Sequence, residues 1–410
     1  MPAELAPRLL ETKPRGAVER ARALPPDELI ALVERAGLRG RGGAGFPAAR
    51  KMRAVRAAAA GSGRETCVVA NAYDADPASP LSRTLLALNA RLVLDGITVA
   101  AHAVGAARAY LYLHPDATEA RAAAERALDG RADPVAVEIA LGPGGFMGGE
   151  ETALLAVLES RRAMARQRPP FPAEQGLDLR PTLVQSAETL GALALIAQDG
   201  AEAFRAAGTD DSPGTKLVSV TGAVKRPGVH EVPFGTTLRE ILSLAGGAAG
   251  TLKGIHVGGP TGGILGATRA GTPLGYDELA AVGTHIGSAQ VRALGAEVCM
   301  VAEAGRLFDY LSRESCAICV PCRVGTKRVT GILEGMTSGL GREDDLPWLR
   351  DLATHLNTFS LCGFGITSAS ILRTTLAEFP DDYRAHLEGR CAAGTCVPTR
   401  ARRYEAMAQP

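Results

Sequence analysis

The stretch Leu38–Met52 reads LRGRGGAGFPAARKM and contains the spacing G-x-G-x-x-G at residues 40–45. That spacing is typical of dinucleotide-binding turns, which follow a strand and open a helix. Here an amphipathic helix is predicted upstream instead, in LPPDELIALVERAGL at residues 24–38. The stretch therefore predicts a glycine-rich loop lying against a flat or anionic ligand, with Arg41 and Lys51 placed to neutralise phosphate.

The chain around this loop alternates between β-rich runs and helical patterns. TCVVANAYD, RAYLYLH and PVAVEIALGPG read as strands, whereas SRTLLALNARLVLDGITVAAHAVGA and DATEARAAAERALDG read as helices. This alternation predicts an α/β sandwich over roughly residues 20–200. From Lys216 a small α+β module is predicted, and after Ala302 the pattern becomes helical.

Length and composition exclude several classes of protein. A chain of 410 residues predicts two to three domains, and a net charge of +1 gives no electrostatic reason to expect nucleic acid as a partner. No run approaches 18 consecutive apolar residues, so direct membrane insertion is not expected. The N-terminus lacks an apolar signal core, which favours a cytoplasmic protein.

The cysteines carry the strongest metal-binding signal. ESCAICVPCRVG places Cys316, Cys319 and Cys322 three residues apart, and Cys362 in FSLCGFG is the natural fourth ligand. The spacing favours an iron–sulfur cluster, with a structural four-cysteine zinc site as the alternative. Cys391 and Cys396 in RCAAGTC could form a redox pair, contribute to a partner contact or be ordinary thiols of a tail.

Two further motifs combine backbone and carboxylate groups that could bind a ligand. Gly149, Glu150 and Glu151 in GGFMGGEETALLAVLE directly precede a predicted helix, where amide groups suit phosphate and a carboxylate suits ribose hydroxyls. An ordinary helix start would look the same. VVANAYDADP ends a predicted strand with Asn71, Asp74 and Asp76, which suits either a ligand crevice or a turn.

Taken together, these motifs resemble the NADH-binding flavin subunit of respiratory complex I and the related diaphorase subunits of hydrogenases and formate dehydrogenases. GLRGRGGAGFP resembles the flavin loop of that family, NAYDADP its N-A-D-E-x-E-P segment, and GGEETALL its G-E-E-T-A-L helix start. RPPFPAEQGL, GAVKRPGVHEVPFGTTLREI and the two cysteine motifs also match, in the same order along the chain.

The resemblance implies a fold and a set of cofactors. The fold class is α/β: a Rossmann-like α/β sandwich that binds FMN and NADH (residues 1–210), a ubiquitin-like β-grasp (SLBB) domain (211–295) and a helical iron–sulfur domain (296–390), followed by a tail (391–410). FMN, NADH and a [4Fe–4S] cluster are the implied ligands. The resemblance implies that Gly40, Gly42, Gly43, Ala44 and Lys51 hold FMN, with Asn71 and Asp74 completing its surroundings and Gln185 and Ser186 at two further flavin-contacting positions. Arg41, Asp76, Gly149 and Glu150 are further expected cofactor-binding residues.

For NADH, the resemblance implies stacking on Phe46 and Phe171 and ribose binding by Glu151. Arg168, which replaces a lysine of the family, is a further expected cofactor-binding residue. The implied cluster ligands are Cys316, Cys319, Cys322 and Cys362. The implied activity is an NADH dehydrogenase in which NADH gives a hydride to FMN and single electrons leave through the cluster. No side chain is expected to act as a general acid or base.

Some positions depart from the family pattern. Tyr73 stands where the family has aspartate, Ala54 where it has an aromatic residue, and Gln185-Ser186 where it has two asparagines. The alternative function is therefore a non-catalytic iron–sulfur relay or assembly subunit with a degenerate flavin site. RCAAGTC resembles a motif that precedes a ferredoxin-like extension in diaphorases, so the next carrier is expected to be a separate ferredoxin or thioredoxin-like [2Fe–2S] subunit. Such partners could hold the protein at the cytoplasmic face of a membrane.

Overall fold

The computed structural model describes residues 8–132 and 134–396, which fold into two compact units. The first comprises the described residues up to Ser219 together with Val229–Thr236 and Pro273–Tyr276. The second comprises Val220–Gly228, Thr237–Thr272 and the described residues from Asp277 onward. The expected boundaries at residues 210, 295 and 390 stay a prediction.

The first unit alternates between helices and strands, as the sequence pattern predicts. Its helices are α1 (Arg8–Glu11), α2 (Ala17–Arg22), α3 (Pro26–Arg35), α4 (Ala48–Ser62), α5 (Leu81–Val104), α6 (Thr118–Leu128), α7 (Glu151–Leu158) and α8 (Ala187–Arg205). Its central strands are β1 (Thr66–Ala72), β2 (Ala106–Leu113), β3 (Ala136–Leu141) and β4 (Thr182–Ser186). They form one sheet in the order β3-β2-β1-β4, and every pairing is parallel.

The strand order predicts a ligand crevice at one edge of this sheet. From β1 the chain adds β2 and β3 on one side and then returns to place β4 on the other, so the order reverses between β1 and β4. Ligands of parallel α/β sheets bind outside the carboxyl ends of the strands at such a switch point. Asn71 and Ser186 are paired partners at the carboxyl ends of β1 and β4. The predicted α/β fold is confirmed.

Helices α5 and α8 pack unusually closely in the first unit. A Cβ atom added at Gly96 of α5 would lie 1.9 Å from the backbone oxygen of Leu190 in α8. Among the described residues, α5 is the helix that is long and apolar enough to cross a membrane, but 78% of its apolar window is buried inside the fold. This burial identifies α5 as a core helix of the unit.

The C-terminal half of the chain contains a second sheet and then consecutive helices. The strands are β5 (Thr215–Gly222), β6 (Gly228–Pro233), β7 (Leu252–Val257), β8 (Gly263–Gly266) and β9 (Gln290–Gly295), in the order β6-β5-β9-β7-β8. The helices are α9 (Leu238–Leu244), α10 (Tyr276–Ala281), α11 (Met300–Glu314), α12 (Val320–Thr337), α13 (Asp345–Phe359), α14 (Gly363–Glu378) and α15 (Pro380–Leu387). The predicted helical C-terminal region is confirmed.

Local sequence explains the start of one helix and the register of three strands in the second unit. Thr237 and Glu240 form a reciprocal capping box that starts α9. Strand β7 pairs antiparallel with both β8 and β9, so that Ile255 lies opposite Leu265 on one side and Ala293 on the other. All three side chains are buried, and a shift by one residue would turn them to the opposite face of the sheet.

The close contact of α5 and α8 gives a stability prediction. Gly96→Ala should lower the free energy of unfolding by about 3 kcal/mol, because the added methyl group would collide with backbone that cannot rotate away. Gly61→Ala is the matched control, since nothing lies within 4 Å of its added Cβ in α4 and alanine should stabilise the helix by about 0.5–1 kcal/mol. Urea unfolding followed by circular dichroism measures both, and equal midpoints would contradict the packing.

Candidate functional site

The glycine-rich loop lies beside the carboxyl end of β4. A Cβ atom added at Gly42 would lie 3.7 Å from the Cβ of Ser186, and one added at Gly40 would lie 3.8 Å from Oε1 of Gln185. The loop closes through a hydrogen bond of 2.9 Å from the Gly40 amide to the Phe46 carbonyl. Gly45 has a φ of +65° and lies against the ring of Tyr276, so no larger residue fits there. The structure thus brings the loop to the switch point.

Arg41 has a different role from the one predicted. Its guanidinium is buried and donates hydrogen bonds to the carbonyls of Arg39, Pro213 and Thr215, at 2.7, 2.6 and 3.1 Å. The guanidinium carbon lies 4.7 Å from the centre of the Phe234 ring. Burial lowers the pKa of Arg41, and the three carbonyl acceptors stabilise the charged guanidinium in this buried position. The guanidinium therefore fixes the loop and is not directed to a phosphate.

The carboxyl ends of β1 and β4 present amide groups to the crevice. The Nδ2 atom of Asn71 donates to the Gly149 carbonyl at 2.9 Å, which connects β1 to the segment before α7. Gln185 is 7% exposed, and its Nε2 has no hydrogen-bond partner among the described residues. A buried amide without a partner is unfavourable, so this group fits an acceptor such as a flavin oxygen or nitrogen.

The other amide position of the family is Ser186. Its hydroxyl accepts a hydrogen bond from the Thr189 amide and caps the start of α8. The Thr189 hydroxyl in turn accepts a hydrogen bond of 2.8 Å from the Arg41 amide. The serine therefore supports the glycine loop through the helix start.

Asp74 and Asp76 support the backbone that follows β1. Asp74 accepts hydrogen bonds from the amides of Ser82 and Arg83 at 2.9 and 2.7 Å, near the start of α5. Burial raises the pKa of Asp74 to about 6, although those two amides oppose the shift. Asp76 is buried and accepts from the Ala78 amide at 3.0 Å. Both carboxylates thus accept hydrogen bonds from backbone amides of the chain itself. They stabilise the backbone segment that forms one wall of the crevice.

A chain of ion pairs links α4, α7 and the segment before Phe171. Lys51 contacts Glu151 at 2.8 Å and donates to the Val184 carbonyl at 2.9 Å. Arg168 pairs with Glu151 at 3.2 Å and also with Glu150. Burial alone would raise the pKa of Glu151, but Lys51 and Arg168 outweigh it and the pKa is lowered. Glu151 therefore stays ionised at neutral pH.

The two glutamates have different roles. The Glu150 carboxylate is the N-cap of α7 and accepts from the amides of Thr152 and Ala153 at 2.8 and 2.9 Å. Glu151 has no such capping role and keeps its carboxylate between the two cations. Glu151 is therefore the glutamate that suits a ribose, while Glu150 builds the helix start.

Two predicted stacking residues are exposed. Phe46 is 48% and Phe171 is 51% exposed, which is unusual for large apolar side chains. Arg50 lies 5.4 Å from the centre of the Phe46 ring. Ala54, where the family has an aromatic residue, is also exposed and offers no ring. In the described part of the first unit, Phe46 and Phe171 therefore offer exposed aromatic surfaces for a planar ligand.

Tyr73 is packed into the first unit, although the family has an acid at this position. Its ring stacks on Tyr112 with centroids 5.2 Å apart and lies 4.9 Å from His114. A Cβ atom added at Gly148 would lie 2.3 Å from the Tyr73 hydroxyl, and one added at Gly142 would lie 2.4 Å from its ring. Two glycines thus make the room that the tyrosine needs.

The structure brings the four motif cysteines together in the second unit. Cys316, Cys319 and Cys322 lie in the loop before α12 and in its first turn, and Cys362 is the residue before α14. Burial, together with the nearby thiols of the other three cysteines, raises the pKa of the Cys322 thiol to about 12, although a hydrogen bond with Ser315 opposes the shift. Four close thiolates need compensating positive charge, which bound iron supplies.

Two features of the surrounding loop fit a bound cluster. The hydroxyl of Ser360 is buried and has no hydrogen-bond partner among the described residues, so it can donate to a sulfur atom. A Cβ atom added at Gly365 would lie 2.5 Å from that hydroxyl and 3.3 Å from the Cβ of Cys322. Ala317 has a φ of +66° and so adopts the left-handed conformation that glycine prefers.

Sequence reasoning missed two sets of residues. Ser360 was not singled out, although a polar residue two positions before a cluster ligand is a usable signal. Cys299 stands alone in the sequence, but in the structure it lies with His386, Cys391 and Cys396. The spacing H-x₄-C-x₄-C at the end of the chain was the available signal for that group.

The unpartnered hydroxyl of Ser360 gives a prediction. Ser360→Ala should lower the reduction potential of the cluster by about 40 mV, because a hydrogen bond of about 1 kcal/mol to the reduced cluster is lost. Redox titration followed by electron paramagnetic resonance measures the potential. Ser243→Ala, in an exposed turn of α9, is the control and should leave it unchanged. An unchanged reduction potential of the cluster in Ser360→Ala would show that the hydroxyl does not donate to the cluster.

Comparisons with known proteins agree with this geometry. The family model for the Nuo51 FMN-binding domain matches residues 33–195, the SLBB domain model matches 217–265, and the model for the NADH-ubiquinone oxidoreductase-F iron-sulfur binding region matches 302–386. These matches confirm the expected fold class and the expected FMN and [4Fe–4S] cofactors. They favour the cluster over the zinc alternative at the four motif cysteines.

Individual relatives cover most of the chain. The F subunit of NADH-quinone oxidoreductase from Streptomyces coelicolor is 35% identical over 389 residues, which span 91% of this chain and 86% of the relative. The HndC subunit of the NADP-reducing hydrogenase from Solidesulfovibrio fructosivorans is 33% identical, over 91% of this chain and 79% of the relative. The crystal structure of an NAD+-reducing [NiFe]-hydrogenase in the H2-reduced state matches with a TM-score of 0.85 and 33% identity, over 98% of this chain and 70% of that chain. The chain therefore belongs to the family of NADH-oxidising proteins with FMN and a [4Fe–4S] cluster that includes the F subunits of NADH-quinone oxidoreductases and the diaphorase subunits of hydrogenases.

Proposed function

We propose that the crevice at the carboxyl ends of β1 and β4 binds FMN and NADH, and that the four-cysteine cluster passes the electrons to a separate redox protein. One observation carries this proposal. The glycine loop, the unpartnered amide of Gln185 and the Lys51–Glu151 pair all lie at or beside the ends of these strands. A planar anionic cofactor can satisfy all three at once.

The FMN would be held mainly by backbone and by one cation. Gly40, Gly42, Gly43 and Ala44 give a backbone surface that the cofactor can approach closely. Lys51 lies at the end of β4, where it donates to the Val184 carbonyl at 2.9 Å, and its ammonium group would contact the phosphate. Asn71, Gln185 and Ser186 bound the crevice from the strand ends. Asp74, Asp76, Gly149, Glu150 and Arg41 would act by positioning that wall and the loop.

NADH would lie over the exposed side of the crevice. Phe46 and Phe171 offer aromatic faces for its rings. Glu151 is ionised and can accept hydrogen bonds from ribose hydroxyls, while Arg168 keeps its carboxylate in place. When bound, FMN accepts a hydride and the cluster accepts single electrons, so the chemistry belongs to the cofactors. The protein's own residues bind and orient, and none is needed as a general acid or base.

The proposed electron acceptor is a ferredoxin or a thioredoxin-like [2Fe–2S] subunit. Relatives of the chain are named as subunits of larger enzymes. Exposed apolar side chains flank the cluster cysteines in the sequence: Ile318, Val320, Val324 and Phe359. Exposed Arg323, Lys327 and Arg328 follow on α12, which suits an acidic partner. We propose a cytoplasmic protein, attached to a membrane only through such partners.

A second candidate function is an iron–sulfur relay or assembly subunit without flavin chemistry. The observation that favours it is Tyr73, a bulky neutral side chain at a position where the family has an acid. However, Gly142 and Gly148 take up the tyrosine, and the Gln185 amide still lacks a partner among the described residues. The flavin-binding function is therefore the better supported of the two.

The proposed NADH site can be tested at Glu151. In protein reconstituted anaerobically with FMN, NADH should reduce ferricyanide, and Glu151→Gln should raise the KM for NADH at least about tenfold, because a charged hydrogen bond to ribose is lost. Steady-state kinetics and quantification of acid-released flavin measure both effects. Glu119→Gln, on the exposed start of α6, is the matched control and should change neither.

Two outcomes would oppose the proposal in different ways. Protein that keeps its cluster but binds no FMN and does not oxidise NADH would establish the relay function instead. Protein that oxidises NADH with an unchanged KM after Glu151→Gln would keep the enzyme but remove the glutamate from its NADH site.

The partner surface yields a separate prediction. Val324→Asp should slow NADH-dependent reduction of a [2Fe–2S] ferredoxin about tenfold and leave ferricyanide reduction unchanged, because the aspartate disrupts an apolar contact but no cofactor site. Leu340→Asp is the control, since Leu340 is similarly exposed but lies beyond the end of α12. If both variants reduce the ferredoxin at the rate of the unaltered protein, the acceptor binds elsewhere.

A further inference from the structure

A second group of metal-ligating side chains lies in the second unit and shares no residue with the iron–sulfur motif. It consists of Cys299, His386, Cys391 and Cys396, whose ligand atoms all lie within 4.8 Å of one another. The three cysteines are free thiols, and Cys299 and His386 are buried. The proposed transfer of electrons uses none of the four.

His386 is held in the orientation that metal binding requires. Its Nδ1 atom lies 2.7 Å from the backbone carbonyl of Asp382, so Nδ1 must carry the proton and donate it. The lone pair is then on Nε2, which lies 3.6 Å from Sγ of Cys299. Metal-binding histidines commonly donate their other N–H to a carbonyl or carboxylate in this way.

The elements that carry Cys299 and His386 are locked together. Cys299 is the N-cap of α11, and its sulfur accepts from the Ala302 amide at 3.5 Å. The carboxylate of Asp382 in α15 accepts from the Met300 amide at 3.1 Å and from Lys253 at 2.7 Å. These contacts join the start of α11 to α15 one turn before His386. Two of the ligands are thus fixed by the protein before any ion binds.

The other two ligands come from a short turn after α15. The helix is followed by Gly389, which has a φ of +74°, and the chain then turns at Gly394, whose amide donates to the Cys391 carbonyl at 3.0 Å. This turn returns Cys396 toward Cys391 and places both sulfurs beside Cys299 and His386. A bound ion explains why the two thiols of this turn converge on a buried imidazole.

We infer that Cys299, His386, Cys391 and Cys396 form a structural zinc site. For tetrahedral zinc, bonds of about 2.3 Å to sulfur and about 2.0–2.1 Å to nitrogen place those two atoms about 3.6 Å apart. The Cys299–His386 distance has that value. Four ligands converging on one point suit a single ion, whereas the ligands of a cubane cluster each bind a different iron. Three thiolates and one imidazole, with no open position, are typical of structural zinc.

The ion would fasten residues 391–396 to the start of α11 and the end of α15. Helix α11 ends at Glu314, directly before the loop of the cluster cysteines. The zinc site would therefore stabilise the scaffold of the cluster without taking part in electron transfer, since zinc is not redox active.

Metal analysis of the full chain, purified anaerobically, tests the site. We expect about one zinc in addition to about four irons per chain. Cys391→Ala, at a partly exposed position, should lower the zinc content at least about tenfold and keep both the iron content and the resonance signal of the cluster. Cys67→Ala, which removes a buried thiol of the first unit, is the control and should keep both metals. His386→Asn should repeat the zinc loss.

Three outcomes would overturn the inference. The first is protein without zinc in which thiol titration finds Cys391 and Cys396 joined in a disulfide. The second is zinc that survives Cys391→Ala but is lost with Cys316→Ala, which would place it in the cluster motif. The third is a fifth iron in place of zinc. NADH oxidation is measured separately, so failure of the zinc site and failure of the flavin site can be told apart.

Discussion

The buried guanidinium of Arg41 is the constraint on which the flavin crevice depends. A glycine-rich loop has little structure of its own, because glycine adopts many backbone conformations. Three carbonyls, two of them more than 170 residues away in the chain, accept hydrogen bonds from this side chain and hold the loop in one place. Arginine suits this role because its guanidinium offers five N–H donors and remains charged even when it is buried. The Tyr276 hydroxyl adds a hydrogen bond of 2.7 Å to the Gly40 carbonyl.

Charges around the crevice are paired before any ligand binds. The buried Lys216 and Glu188 pair with each other inside the first unit. Lys51 and Arg168 are matched by Glu151 and Glu150, so these four side chains carry no excess charge. A bound phosphate would have to share the Lys51 ammonium with Glu151, and backbone amides of the glycine loop would supply the rest of its hydrogen bonds.

Local patterns in the sequence predicted the parts of the fold that depend on neighbouring residues. The helix at Pro26–Arg35, the buried strand β1 and the spacing of Cys316, Cys319 and Cys322 are all set within a few turns of chain. What the sequence could not predict is which distant groups a side chain meets. Arg41 was expected to face a phosphate, because the sequence around it shows that the side chain is charged but not which distant carbonyls it meets. Cys299 and His386 are 87 residues apart, and no periodicity connects them.

Because local patterns do not show which distant groups meet, the sequence led to different interpretations of the two sets of cysteines. In the cluster motif, three ligands lie close together in the sequence, so their spacing alone favours an iron–sulfur cluster. In the other set, Cys299 at the start of α11 and His386 in α15 meet through helix packing, and the turn after α15 adds the other two. A pair of thiols near a chain end is then indistinguishable from a redox pair until the fold places an imidazole beside it. Tertiary structure, and not spacing, decides the chemistry of such a pair.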